Sequence, residues 1–217
     1  MAAISKLTVI FILAISFALS LLAFYIMSGL SEAQRKKQAS EIVSQLINFV
    51  LFLWLAKVLL KLPLFLQDPL AVLAYPANSD AFYLAALFTG LLIFCQSTKR
   101  KIEGEAFAHS LLQVMLAALF VYEFIQLIWR DHPFSFSYLL VYGPLLLLFH
   151  LLQERVSRKI QMASALFAAA AGFFIISFFV PYVSVFGYVL DGWFLALMLA
   201  AFFALLIRGD ELQSRSS

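Results

Sequence analysis

The chain contains few charged residues and a single cysteine. Of its 217 residues, 12% are charged and 64% are hydrophobic, and the mean hydropathy is +0.98. Soluble domains are closer to half apolar and a quarter charged, and a soluble chain of this length could not bury so much apolar surface in one core. The composition therefore excludes an ordinary soluble domain and predicts a protein that lies in a lipid bilayer.

Several chemical motifs are also missing. The lone Cys95 excludes a disulfide within the chain and any two-cysteine redox motif. The sequence has no phosphate-binding glycine-rich loop, no G-x-S-x-G nucleophile motif and no H-E-x-x-H zinc motif. We therefore expect no cofactor and no nucleotide hydrolysis by this chain. The net charge of +3 does not indicate nucleic acid, because the basic residues lie in short gaps between apolar runs.

Seven apolar runs are long enough to be transmembrane helices, which need roughly 20 residues each. A cleaved signal peptide is an alternative for the first run, but its apolar core is longer than the usual ~7–15 residues. The sequence predicts an all-α, polytopic membrane bundle that forms one domain over residues 1–217. The predicted spans are Leu7–Leu30, Ile42–Leu60, Ala77–Gln96, Ala106–Trp129, Phe134–Leu152, Gln161–Val180 and Phe186–Ile207.

Basic triplets occur in alternate gaps between these runs. They follow spans one, three and five, as Arg35-Lys36-Lys37, Lys99-Arg100-Lys101 and Arg155 with Arg158-Lys159. Because basic loops stay in the cytoplasm, the pattern predicts an extracytoplasmic N-terminus and a cytoplasmic C-terminus in the cytoplasmic membrane. An even number of spans would break this pattern.

The gap between spans two and three, residues 62–76, is apolar and contains three prolines. It is too short and too interrupted to cross the bilayer. We expect it to rest in the outer headgroup region. A lid over an outward-facing cavity is the alternative.

Ionisable residues within membrane spans are costly and are therefore functional candidates. Glu123, Asp191 and Lys57 all fall in the outer half of their predicted spans. Together with Gln126 and Tyr122 they predict a polar, outward-facing cavity that binds or translocates a small solute. Neutralisation of these charges without any ligand is the alternative reading.

The fourth span carries polar residues on one face. Glu105 and Glu123 are separated by about five helical turns and share one azimuth. His109, Leu116 and Gln126 lie near the same direction. This face should point into the bundle, with leucines closing its middle.

Two histidines suggest a second reading. His109 on span four and His150 on span five lie at a similar cytoplasmic depth, near Glu105. Imidazole and carboxylate groups serve in acid–base chemistry and metal binding. The alternatives are therefore an enzyme acting on a lipid-linked substrate at the cytoplasmic interface, or a metal held by the two histidines. No ligand spacing supports either, so we favour a protein that is not an enzyme.

Small residues at four-residue spacing let membrane helices approach closely. We expect most of these faces to pack within the bundle, with spans six and seven as a hairpin. A face on span one could instead dock another membrane protein, which gives a third reading, an accessory or sensor subunit. The faces are Ala14 and Ala18 on span one, Ser164, Ala168 and Gly172 on span six, and Ala196, Ala200 and Ala204 on span seven.

Overall fold

The computed structural model of the chain describes residues 2–74, 77–99, 101–130, 134–153, 155–194, 196–197 and 200. Helices dominate these residues, and one two-stranded hairpin follows them. The elements are α1 (Ala2–Met27), α2 (Glu32–Leu60), α3 (Leu62–Gln67), α4 (Pro69–Ala74), α5 (Ser79–Thr98), α6 (Gly104–Arg130), α7 (Ser135–Leu152), α8 (Arg158–Ile176), β1 (Ser184–Val185) and β2 (Tyr188–Val189).

Six of the helices are long and apolar enough to cross a membrane, namely α1 from Thr8, α2, α5, α6, α7 and α8. They correspond to the first six predicted spans. The all-α membrane bundle predicted from the sequence is therefore confirmed, although the count of seven spans is not.

The predicted start of the seventh span is wrong. Residues 184–189 form an antiparallel hairpin in which Ser184 pairs with Val189 and Val185 pairs with Tyr188. The turn residues Phe186 and Gly187 have φ angles of 53° and 81°, which a helix cannot accommodate. Residues 192–194 are helical again, and the rest of the predicted span lies largely outside the described residues.

Capping side chains fix several helix starts. Ser31 and Gln34 form a capping box before α2, so this helix begins at Glu32, well before the apolar run at Ile42. Asn78 caps α5 and Ser157 caps α8 through the same kind of side-chain acceptor. These caps satisfy backbone N–H groups that the first helical turn leaves without partners.

The proline-rich segment between α2 and α5 forms two short helices rather than an irregular loop. Asp68 separates α3 from α4, and its carboxylate accepts a hydrogen bond from the N–H of Ala71. Both helices contact α2. Leu66 and Leu70 are each 76% exposed; that the segment rests on lipid stays a prediction.

Helix α6 is the centre of the bundle. It packs against α1, α2, α7 and α8, while α5 packs mainly on α2. Half of the most apolar stretch of α6 is buried, a larger share than in any other candidate span. The prediction that this helix faces the interior is confirmed by the burial of His109, Leu116, Leu119, Glu123 and Gln126.

Large apolar side chains cover the outside of the bundle. Phe167, Phe174, Phe178 and Phe179 are all at least two-thirds exposed. A bilayer is the solvent in which such a surface is stable, so lipid is the environment of these helices.

The small-residue faces differ in their surroundings. Ser164, Ala168 and Gly172 lie on α8, where Ala168 packs beside the buried Leu116–Leu145–Phe149 cluster. This face therefore packs on α7 and α6 within the bundle. Ala14 and Ala18 on α1 are exposed, as are Ala196 and Ala200, and Ala204 lies outside the described residues.

Gly172 allows α8 to approach α7 closely, and this gives a first prediction. A Cβ at this position would overlap the Cγ1 atom of Val141 and lie 3.2 Å from its Cγ2 atom. We expect Gly172→Ala to lower the free energy of unfolding in detergent by about 1–3 kcal/mol, because overpacking forces the helices apart. Thermal unfolding followed by circular dichroism measures the change.

The matched control is Gly90→Ala on α5, where an added Cβ meets nothing within 4 Å. Alanine favours helix over glycine by up to ~1 kcal/mol, so this variant should be as stable as the wild type or more stable. Adding Val141→Ala to Gly172→Ala should restore part of the loss. Equal effects of the two glycine substitutions would contradict the close packing of α7 and α8.

Candidate functional site

The described residues of the basic triplets lie in or beside the α1–α2, α5–α6 and α7–α8 connections, which meet at one end of the bundle. We call this end the basic end. The Lys37 ammonium is 2.8 Å from a carboxylate oxygen of Glu103 in the α5–α6 turn. Hydrogen bonding to this ammonium lowers the pKa of Glu103 below its usual value. Lys159 of α8 lies 4.0 Å from Glu105 of α6. The alternation of basic gaps along the sequence thus corresponds to one charged end of the folded bundle.

A polar cavity of about 160 Å³ opens at the basic end. It lies between the α1–α2 turn, the first part of α6, the C-terminus of α7 and the start of α8. Engineered cavities of about 150 Å³ accept a benzene-sized molecule, so this volume suits a small ligand or several waters. Its lining residues are Ser28, Gly29, Leu30, His109, Gln113, Gln153, Arg158 and Gln161.

Gln161 organises the wall of this cavity. Its amide nitrogen donates to the carbonyl of Phe149 at 2.6 Å, and its amide oxygen lies 2.8 Å from Nε2 of His109. The carbonyl of Phe149 lies in the last turn of α7, where carbonyls lack partners within their helix. Gln161 is fully buried, so one side chain on α8 caps α7 and holds a histidine of α6.

This arrangement also assigns a hydrogen to one nitrogen of the imidazole. Because the Gln161 amide donates to Phe149, its oxygen faces His109, and Nε2 of His109 must carry a hydrogen. The ring also lies 5.1 Å from that of Phe149, so its orientation is set by both contacts.

Two polar atoms in the wall have no hydrogen-bond partner among the residues that the structure describes. They are Oγ of Ser28, which is only 8% exposed, and Oε1 of Gln153. Buried polar groups in folded proteins nearly always have a partner, either in the protein or in bound solvent. Both residues line the cavity, so a polar ligand or water that reached these two atoms would complete their hydrogen bonds.

Of the two residues predicted to act with His109, Glu105 lies one turn away on the same helix, whereas His150 is not brought to the imidazole. His150 is exposed on α7, while its neighbour Phe149 packs on the His109 ring. Glu105 is half-buried and lies near Lys159. Within the described part of the chain, no three His, Cys, Asp or Glu side chains are grouped so that they could hold a metal.

The residues predicted to form the outer cavity fall into separate contacts at the opposite end. Ser135 Oγ donates to Glu123 at 2.6 Å, and both side chains are buried. Gln126 donates to the hydroxyl of Tyr122 at 2.8 Å. The first contact joins α6 to the start of α7, and the second lies within α6.

Asp191 and Lys57 have other neighbours. The Tyr83 hydroxyl donates to Asp191 at 3.2 Å and accepts a hydrogen bond from its backbone N–H at 2.8 Å. The Lys57 ammonium lies 5.6 Å from the centre of the Trp54 ring. Asp191 therefore belongs to a contact with α5, and Lys57 stays close to an aromatic ring on its own helix.

The hairpin occupies the centre of this opposite end. Phe186 at its tip is 6% exposed and packs 5.2 Å from the Phe17 ring and 5.6 Å from the Tyr122 ring. Tyr188 stacks on Phe82 of α5 at 4.7 Å. The hairpin thus fills space beside Tyr122, where sequence reasoning placed an open cavity.

Sequence reasoning missed both the hairpin and the role of Gln161. The hairpin had one signal, a glycine at the second position of the Phe186-Gly187 turn, which favours φ > 0. Gln161 had none, because its partners are distant in the sequence. Comparison with protein-family models, curated protein sequences and solved structures finds no match.

Proposed function

We propose that this integral membrane protein binds a small polar solute in the cavity at the basic end of its helix bundle. The observation that carries the proposal is the unpartnered hydroxyl of Ser28, buried in the wall of a polar cavity. A solute with its own donors and acceptors supplies the missing hydrogen bonds. The positive-inside rule places this end in the cytoplasm.

We further propose that solute movement follows α6. This helix buries polar side chains near both ends and an apolar layer between them, which includes Leu116, Ala117, Ala118 and Leu119. The outer polar layer holds Tyr122, Glu123 and Gln126, with Asp191 and Lys57 at its edge. In the conformation described, the hairpin covers that layer and the cavity opens at the basic end, as in an inward-facing carrier.

The enzyme alternative receives less support. Among the described residues, the His109 ring is hydrogen bonded only to the amide oxygen of Gln161, so no carboxylate orients it as in the serine-protease triad. His150 lies elsewhere on α7. The exposed Ala14 and Ala18 fit lipid as well as a partner, so they do not favour an accessory subunit.

Thiol accessibility tests the proposal. Cys95 is exposed and is the only cysteine, so Cys95→Ala gives a cysteine-free background. We expect Ser28→Cys in this background to react with a small water-soluble thiosulfonate, because position 28 lines the cavity through which we propose that solutes enter. Intact-protein mass spectrometry measures the labelled fraction over time.

The matched control is Ser16→Cys on the same helix. Ser16 is fully buried and donates to the carbonyl of Ile12 at 2.7 Å, so its replacement should stay unlabelled until the protein is denatured. Protection of both cysteines would show that the cavity is closed to solutes and would overturn the proposal. Labelling of Ser28→Cys in inverted but not in right-side-out vesicles would place the basic end in the cytoplasm.

A further inference from the structure

The charges around the cavity indicate which class of solute it takes. Among the residues that the structure describes, Arg158 is the only cationic side chain in the lining, and none of them contributes a carboxylate to it. The other polar side chains are a hydroxyl and three amides, which can donate hydrogen bonds, and an imidazole whose Nε2–H already donates to Gln161. A wall with one cation, several donors and no acid favours an anion over a cation.

The start of α8 adds to this preference. Arg158 is the first residue of this 19-residue helix and Gln161 lies in its first turn. Helix N-termini carry a partial positive charge and free N–H groups, which attract phosphate and carboxylate groups. The N-terminus is not the only indication, because the buried Ser28 hydroxyl borders the same space without a partner.

Two acidic residues of this end have basic neighbours. Glu103 is hydrogen bonded to Lys37, and Glu105 lies near Lys159. Their negative charges are therefore balanced outside the cavity. The guanidinium of Arg158 stands at the mouth on an exposed part of the chain, where it can meet an anion that arrives from water or from the headgroup layer.

We infer that the cavity binds a phosphate-type oxyanion, held by the Arg158 guanidinium and the Ser28 hydroxyl. Arginine suits this chemistry because its planar donor pair matches two oxygens of one phosphate. The anion is either free phosphate or the phosphate of a lipid headgroup. This inference rests on the proposed function, since it names the ligand class of the same cavity.

A pair of charged reagents tests the inference. In the Ser28→Cys, Cys95→Ala protein, we compare a sulfonate-bearing and a trimethylammonium-bearing thiosulfonate, each normalised to its rate on the denatured protein. The anionic reagent should be favoured, and Arg158→Gln should reduce this preference by about tenfold, equivalent to ~1.4 kcal/mol. Arg155→Gln, which removes an exposed arginine outside the lining, should leave the preference unchanged.

The outcomes separate the two proposals. If both reagents react with no charge preference, or if Arg158→Gln and Arg155→Gln behave alike, the oxyanion inference is overturned while solute access stands. If neither reagent reacts, the cavity is closed to solutes, and the proposed function is overturned together with the inference that rests on it. A preference for the cationic reagent also overturns the inference.

The thermal midpoint of the chain without cysteine substitutions distinguishes the two sources of the phosphate. Inorganic phosphate should raise the thermal midpoint relative to chloride at equal ionic strength if free phosphate binds, since ligands stabilise the folded state. Nanodiscs with a phosphomonoester lipid should raise it relative to zwitterionic nanodiscs if a headgroup binds. Either rise in the thermal midpoint supports the inference if the rise is lost in Arg158→Gln and retained in Arg155→Gln. No stabilisation in either arm overturns it.

Discussion

Tyr138→Phe should loosen the hairpin from the bundle and lower the free energy of unfolding by about 1–3 kcal/mol. The Tyr138 hydroxyl accepts a hydrogen bond from the N–H of Ser184 at 3.0 Å and donates to the carbonyl of Tyr182 at 3.1 Å. Tyr138 is 1% exposed, so water cannot replace the lost hydroxyl without rearrangement. Thermal unfolding in detergent measures the loss, and the Ser184 amide should exchange its hydrogen faster.

Tyr142→Phe is the matched control for this variant. Tyr142 lies one turn further along α7, is also 1% exposed, and its ring stacks 6.2 Å from that of Tyr138. Its hydroxyl, however, is buried without a hydrogen-bond partner. Removing that group takes away an unsatisfied polar atom, so stability should be unchanged or higher. Equal losses in the two variants would refute the role of Tyr138 as the anchor of the hairpin.

Gln161→Met should be the most destabilising single change at the cavity. Methionine has a similar length but leaves the Phe149 carbonyl and the His109 Nε2–H without their partner. Each unpaired buried group costs about 1–3 kcal/mol. We expect a large drop in the thermal midpoint and faster exchange of backbone amides in the last turn of α7, since this turn loses its cap.

Gln38→Met on α2 separates this effect from the general cost of removing a buried amide. Gln38 is 3% exposed, but its amide oxygen has no hydrogen-bond partner. Its replacement should cost much less than that of Gln161. If the two substitutions lowered the midpoint equally, the link between α6, α7 and α8 through Gln161 would not be a distinct source of stability.

The helices themselves were predictable from composition and length. Long apolar runs must satisfy their backbone hydrogen bonds internally within lipid, and the helix does this with local contacts alone. Glu123 and Gln126 also indicated the buried face of α6, because polar residues avoid lipid. The extension of α2 beyond its apolar run depends on the Ser31 cap, which hydropathy does not reveal.

The hairpin could not be predicted in the same way. Residues from Phe186 onward are apolar enough to continue as a span, and hydropathy alone does not separate a strand from a helix over a few residues. The hairpin forms because Phe186 packs on Phe17 and Tyr122, and because Tyr138 holds its first strand. These contacts join positions far apart in the chain, so a local sequence pattern does not reveal them.

The candidate site, too, was predictable in part from the sequence. The sequence singled out His109 and the basic residues around Arg158, but it paired His109 with His150. In the fold, Gln161 approaches His109 from α8, and His150 is exposed on α7. A shift of one residue along a helix turns a side chain by about 100°, so depth in the membrane did not determine which side chains meet.

The sequence by itself determined the solvent of this protein, its helical class and the clustering of basic turns at one end. Those properties follow from the cost of placing charges and open backbone groups in lipid, which acts on each segment separately. Only the tertiary structure decided that the hairpin covers one end and that a polar cavity opens at the other. The reason is that hydrogen-bond partners such as Gln161 with His109, and Tyr138 with Ser184, are chosen by packing between helices, after each helix has formed.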